Sequence, residues 1–184
     1  TARISQGRRK QEIPTGAGIL ALETHLSPRL LNSNLLVCVV ETRSGRRSLP
    51  KGGQELPETL RDTADREWLE EVNTPQDQLS PLIWGENSYW DDGYLGIRYY
   101  FARHYDTFSQ GPRSHPVVDA DWAVDDGIVR AHWVQLEHIM DGSFQLPKHV
   151  CTLIQRAIQH TPQSLVAPLR QDPDATARPA SSDD

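Results

Sequence analysis

Residues 49–75 read LPKGGQELPETLRDTADREWLEEVNTP, and the rest of the chain is best understood outward from this stretch. At about 100° per residue, Leu60, Ala64, Trp68 and Val72 step along one side of a helix and form its buried stripe. Glu67 and Glu71 fall near the Leu60 edge of that stripe, and Glu70 lies beyond them, so three carboxylates share one arc. Like charges at these spacings repel by roughly 0.2–0.5 kcal/mol at an exposed site, and by more where they are desolvated against a core. Such a cluster either carries raised pKa values or binds a cation; the plainer alternative is a solvated acidic face. Hard carboxylate oxygens favour Mg²⁺ or Mn²⁺, which leave coordination positions for water and phosphate oxygens. Upstream, Lys51-Gly52-Gly53 permits a tight loop whose backbone approaches a ligand closely.

The surrounding chain sets limits on this chemistry. Its 184 residues suit one globular domain with tails. The longest apolar run, Leu35 to Val40, is six residues, too short to span a membrane as a helix. With 19 basic and 25 acidic side chains the net charge is −6, which argues against extended nucleic-acid binding. An anionic substrate remains compatible, because a bound divalent cation inverts the local field. Cys38 and Cys151 are too few for a disulfide framework or a zinc site and read as small buried hydrophobes. The chain opens at Thr1 without Met or an apolar signal segment, so a trimmed N-terminus is expected, a removed presequence being one route to it. The default compartment is the cytoplasm.

Residues 1–12 are polar and read as a flexible arm, 13–161 as the domain, and 162–184, rich in Pro, Asp, Ser and Ala, as a disordered tail. Inside the domain, 16–23 and 34–42 have strand character, Ser44-Gly45 marks a turn, and 95–104 and 128–133 read as further strands. Val150, Leu153, Ile154, Ala157 and Ile158 form the apolar stripe of a closing helix. Strands interspersed with helices predict an α/β fold with a mixed sheet covered by helices.

The full spacing carries more. Gly52 is followed by five residues and Glu58, by seven more and Arg66-Glu67, then by two and Glu70-Glu71. This pattern resembles the signature of the Nudix hydrolases, enzymes that cleave diphosphate linkages in nucleoside diphosphates joined to another group. The match covers the 20 residues from Gly52 to Glu71 and fills every charged position. Trp68 stands where the family has an aliphatic residue, Asn73 replaces its Gly after the helix, and Thr74 replaces an apolar residue. Asn also suits a left-handed helix terminus. A looser likeness in the order of elements extends from Gly16 to Gln159, including Trp133-Val134-Gln135-Leu136. The resemblance implies an α/β/α sandwich with a central mixed sheet.

It also implies roles. Glu67, Glu70 and Glu71 would be metal ligands, with Glu67 or Glu70 placed to activate water, and a main-chain carbonyl of Lys51 or Gly52 would add a ligand. Arg66 would orient the carboxylates, and Glu58 would support the loop–helix junction. Asp119, Asp121, Asp125 and Asp126 are candidates for the further carboxylate that the family often takes from a later loop. The reaction would be attack of metal-activated water on a phosphorus of a small phosphorylated substrate.

Substrate class is less sharply marked. Lys51 within Leu-Pro-Lys-Gly-Gly, Glu55 and Gly85-Glu86-Asn87 are similar to the diphosphoinositol and diadenosine polyphosphate branch. Relatives acting on RNA ends carry a similar loop, so an RNA end is a further candidate. Arg46, Arg47, Lys51, Gly53, Arg98 and Arg103 are the substrate-binding candidates, Arg43 a weaker one. Trp84, Tyr89, Trp90 and Tyr94 could instead stack a nucleobase, as in ADP-ribose. His104, His115 and His138 read as structural or surface residues. A non-catalytic binding module of the same fold is the alternative of another class; loss of a signature glutamate usually marks it, and here all are present.

Overall fold

The computed structural model describes residues 13–24, 35–72, 82–83, 88–103, 111–117 and 126–160. The arm and tail expected at 1–12 and 162–184 lie outside them, as do Asp119, Asp121, Asp125, Trp84 and His104. In chain order the elements are β1 (Gly16–Thr24), β2 (Leu35–Thr42), β3 (Arg47–Ser48), β4 (Lys51–Gly53), α1 (Leu60–Val72) and β5 (Leu82–Ile83). They continue with β6 (Tyr89–Asp92), β7 (Ile97–Arg103), β8 (Arg113–Pro116), β9 (Ile128–Gln135), α2 (Leu136–Met140) and α3 (Lys148–His160).

The central strands are apolar on both sides, the composition of a sheet covered on both faces. Ala17, Ile19 and Ala21 of β1 point with Leu36, Cys38 and Val40 of β2 toward Ala64, Trp68 and Val72 of α1. The alternate residues, Leu20, Leu22, Val37 and Val39, point with Phe101 toward Ile139 of α2 and Val150, Leu153 and Ile154 of α3. The result is a three-layer α/β/α sandwich, the layering that the resemblance implies. Its sheet runs β5-β7-β1-β2-β9-β8 and is mixed: β1 and β7 are parallel, the other pairs antiparallel.

One departure from regularity positions the site. Along the same edge, β1 pairs with β4 through Gly16–Gly18 and with β2 only through Leu22–Thr24. The sheet is therefore parted, and β4 enters the gap beneath α1. A Cβ at Gly18 would collide with the Pro50 carbonyl, so this close approach requires glycine. Helix α1 is started by reciprocal bonds: the Asp62 N–H donates to Thr59 Oγ1 (3.1 Å), and the Thr59 N–H to Asp62 Oδ2 (3.0 Å). Its far end is tied to β8 by His115, whose Nε2–H donates to the Val72 carbonyl (3.2 Å).

Several sequence expectations need adjustment. The strand expected over 95–104 starts at Ile97, because Gly96, at φ +67°, closes the turn from β6. The strand expected over 128–133 runs on to Gln135 and passes directly into α2. Cys38 is fully buried, but Cys151 is only half-buried. No described helix is long and apolar enough to cross a membrane.

Trp68 is the main anchor of α1, 2% exposed and edge-on to Trp133 with ring centroids 6.0 Å apart. Replacing Trp68 with Ala is expected to cost about 3–5 kcal/mol of stability, checked by urea unfolding. A loss below about 1 kcal/mol would show that α1 is held chiefly by other contacts.

Candidate active site

Lys51–Gly53 of β4, the 54–59 loop and α1 converge on one guanidinium. Arg66 Nε donates to Glu58 Oε2 (3.1 Å) and Nη2 to Glu58 Oε1 (2.8 Å), a bidentate pair. The remaining donors are shared: Nη2 reaches the Gly53 carbonyl (2.9 Å), and Nη1 reaches Glu67 Oε1 (2.8 Å) and Glu70 Oε2 (3.2 Å). Arg66 thus joins β4, the loop and two turns of helix. Glu58 also accepts from the Glu55 N–H (2.7 Å) and from the hydroxyl of fully buried Thr63 (2.9 Å), while the Gln54 side chain donates to the Glu58 carbonyl (2.7 Å). Sequence reasoning missed Gln54 and Thr63, whose residue types give no signal apart from the loop they brace.

The three glutamates occupy different environments. Glu67 is 9% exposed and lies so close to β4 that a Cβ at Gly52 would displace its carboxylate. Glu71 is half-buried and accepts a bond from the Lys51 N–H (3.1 Å). Glu70 stands more in solvent. Desolvation raises the Glu67 carboxyl above its ordinary range despite Arg66 beside it. Desolvation likewise pushes Glu71 up to about 8, with the Lys51 N–H acting against the shift and Glu67 adding to it. Both groups resist bearing a full negative charge without further cationic compensation.

Among the described residues no three acidic, His or Cys side chains converge as a metal-holding group. The single ligand arc expected from the sequence is divided: Arg66 sits between Glu67 and Glu70, and Glu71 turns to the β4 backbone. The donor chemistry still fits a hard divalent ion. Two desolvated carboxylates of raised proton affinity lie against β4, Glu67 at the Gly52 backbone and Glu71 at Lys51, and their ligating atoms are oxygens.

A cavity of about 770 Å³ opens beside Glu71 and Lys51, bounded by Arg46 and Arg47 at the β2–β3 hairpin and by Gln145 and His149. The two arginines carry partners of their own. Arg46 pairs with Asp126, and Arg47 Nε donates to Glu41 Oε1 (2.8 Å) while its guanidinium lies 4.1 Å from the Phe144 ring centre. Asp126 thus sits at the hairpin with Arg46 and Ser44. Arg98 makes a two-point pair with Asp91 across the β6–β7 ladder (2.7 and 3.1 Å) and covers Tyr89. Arg103 is not brought to this group. It is in register with Leu22, whereas Gly52 is in register with Ala17 and so with Arg98, about 17 Å along the strand.

No family model matches the chain, and no curated protein sequence does. Among solved structures, the chain is similar to RenU, a Nudix hydrolase from M. smegmatis, at 15% identity over 79% of this chain and 84% of that one, TM-score 0.48. It is also similar to a C. elegans Ap4A hydrolase, at 15% identity over 80% of this chain and 97% of the other, TM-score 0.47. A NUDIX hydrolase from Nitrosomonas europaea aligns at 18% identity over 79% and 86% of the respective chains, TM-score 0.42.

The Glu58 environment makes a pH prediction. Its bonds from Arg66 and the Glu55 N–H hold its carboxyl at about 2 in the folded chain, against an ordinary 4.5. A carboxyl depressed by folding stabilises the fold above its unfolded pKa, and that contribution is lost as pH falls from about 4.5 to about 2. Urea midpoints across that window should fall more steeply for the native chain than for Glu58→Gln; parallel curves would contradict the assignment.

Proposed function

We propose that the chain is a Nudix-type, divalent-metal-dependent pyrophosphohydrolase that cleaves a diphosphate linkage. The observation that carries this reading is the Arg66 network, which holds Glu58, Glu67, Glu70 and the Gly53 carbonyl beside the Gly52 backbone at the signature spacing. Glu67, Glu70 and Glu71, with a main-chain carbonyl of Lys51 or Gly52, would hold Mg²⁺ or Mn²⁺. Such an ion supplies charge neutralisation at the diphosphate and lowers the pKa of bound water.

The chain's own residues do the rest. Arg66 fixes the Glu67 and Glu70 carboxylates, which reduces the reorganisation needed when substrate arrives. The Lys51 N–H fixes Glu71 at the mouth of the cavity. Lys51 lines that cavity with Arg46 and Arg47, whose guanidinium groups would have to share their carboxylate partners with phosphate oxygens. Diphosphoinositol polyphosphates and diadenosine polyphosphates are the first substrate candidates. ADP-ribose or another nucleoside diphosphate derivative is a second reading, favoured by the aromatic residues Trp90 and Tyr94 in a neighbouring cavity. A purely ligand-binding module is disfavoured by the full glutamate set.

Glu70→Gln and Glu71→Gln should each lower Mg²⁺-dependent hydrolysis by more than about a hundredfold, with the circular dichroism spectrum unchanged. Product analysis on diphosphoinositols, diadenosine polyphosphates, ADP-ribose and triphosphorylated RNA assigns the class. Undiminished turnover in both variants would remove this mechanism.

A further inference from the structure

A second polar cluster stands apart from the Arg66 network, at the end of the sheet face that α2 and α3 cover. Strand alternation places it there. Val37 and Val39 of β2 belong to the apolar layer beneath those helices, and Glu41 follows at the same parity. In register with Glu41 stand Arg47 on β3 and Arg130 on β9, while His132 is in register with Val39. One carboxylate therefore lies between two cations in a row, with an imidazole on the diagonal, a separation that long side chains bridge.

Glu41 divides its two oxygens. Oε1 accepts from Arg47 Nε (2.8 Å), and Oε2 accepts from His132 Nε2–H (3.1 Å). Both side chains are largely shielded, Glu41 20% and His132 12% exposed, so solvent competes weakly for these bonds. Desolvation works to raise the Glu41 carboxyl, yet the bonds from Arg47 and His132 outweigh it and hold the group below its ordinary range. Desolvation also lowers His132, against the pull of Glu41, which leaves the imidazole neutral at neutral pH.

Arg47 is held on three sides. Beyond the Nε bond, Nη1 donates to the Gln145 carbonyl (3.2 Å), and the guanidinium covers the Phe144 ring. Phe144 is itself edge-on to His132, with ring centroids 5.4 Å apart, and its N–H donates to the His138 carbonyl (2.9 Å). Among the described residues Nη2 has no partner, and the side chain lines the cleft that holds Lys51 and Glu71. Arg46 differs: its side chain is 75% exposed and its one carboxylate partner is Asp126. Much of the rotamer freedom that an arginine gives up on gripping an anion is thus already surrendered by Arg47 on folding.

We infer that Glu41 and His132 are positioning residues, which with Phe144 and the Gln145 carbonyl fix the Arg47 guanidinium so that Nη2 meets a phosphate oxygen of a ligand in the cleft. This rests on the pyrophosphohydrolase reading and deepens it, since neither residue touches substrate. Positioning and competition have opposite signs. A Glu41 that only competed with phosphate for Arg47 would, on removal, strengthen anion binding; a Glu41 that orients Arg47 weakens it on removal.

The test titrates inorganic pyrophosphate into the full chain without metal, by calorimetry. Arg47→Ala and Glu41→Ala should each weaken binding about fivefold or more, whereas Glu41→Gln, which keeps both hydrogen-bonding atoms, should bind no less tightly than the native chain. His132→Leu should weaken binding about threefold, and His132→Gln, whose amide replaces the Nε2 donor, should restore it. The second readout is the Arg47 Nε–H signal in nitrogen–proton spectra, assigned by its loss in Arg47→Lys. The groups facing His132 are Glu41, Arg47 and Arg130, with His138 and Arg113 beside it in a cavity of about 340 Å³. The signal should shift with an inflection below pH 6.5 that is absent from His132→Gln, which separates His132 from His138. Because that signature is read in the native chain, it stands even if Glu41→Ala fails to fold. Tighter or unchanged pyrophosphate binding in folded Glu41→Ala, an affinity indifferent to Arg47, or an inflection that persists in His132→Gln would overturn the inference. Glu41-dependent pyrophosphate binding in a chain that cleaves no anhydride would uphold the clamp and remove the hydrolase reading. Metal-dependent hydrolysis with pyrophosphate affinity indifferent to Glu41 would do the reverse.

Discussion

One guanidinium sets the arrangement on which the rest depends. Arg66 spends two donors on Glu58 and distributes the others among Glu67, Glu70 and the Gly53 carbonyl. Remove that centre of positive charge and α1 presents a row of carboxylates to one another, with the Lys51 N–H bond to Glu71 left to tie β4 to them. A lysine ammonium could not reproduce it, because the planar fork supplies donors in several fixed directions at once. The parting of the sheet at β1 is the companion constraint, since only there can a glycine backbone come near enough to meet Glu67.

The long elements were legible in the sequence for a simple reason: they repeat. α1 and α3 show apolar stripes at helical spacing, and β1, β2 and β7 carry branched or aromatic runs apolar on both faces. β3, β4, β5, β6 and β8 are two to four residues long. They have no periodicity to read and exist because a longer neighbour offers them a ladder. β6 reads Tyr-Trp-Asp-Asp, poor strand material by propensity, yet Asp91 is paired across the ladder by Arg98.

The site was legible where its parts are local. Glu58, Arg66, Glu67, Glu70 and Glu71 lie on a few turns of chain, so spacing alone brings them together. The basic residues were harder, because a positive side chain says nothing of its partner. Arg46, Arg47 and Arg98 each meet a carboxylate, and β-sheet register carries Arg103 to the far end of β7. The polar stripe of α3, Lys148, Thr152 and Arg156, was present at helical spacing. A charged helix face is ordinarily just wetted surface, so that spacing gives no signal of its own.

The acidic chain need not repel an anionic ligand everywhere: Lys51, Lys148 and Arg156 stand on these walls, while Arg46 and Arg47 are matched by Asp126 and Glu41. The parted sheet has a further consequence for how such a molecule can diversify. The groups proposed to react are written in one uninterrupted cassette, while the groups lining the neighbouring cavity come from a hairpin tip and a distant helix. Substitutions in those two remote segments could exchange one leaving group for another without touching the cassette, so new preferences would be reached by retailoring the rim while the reactive centre is inherited intact.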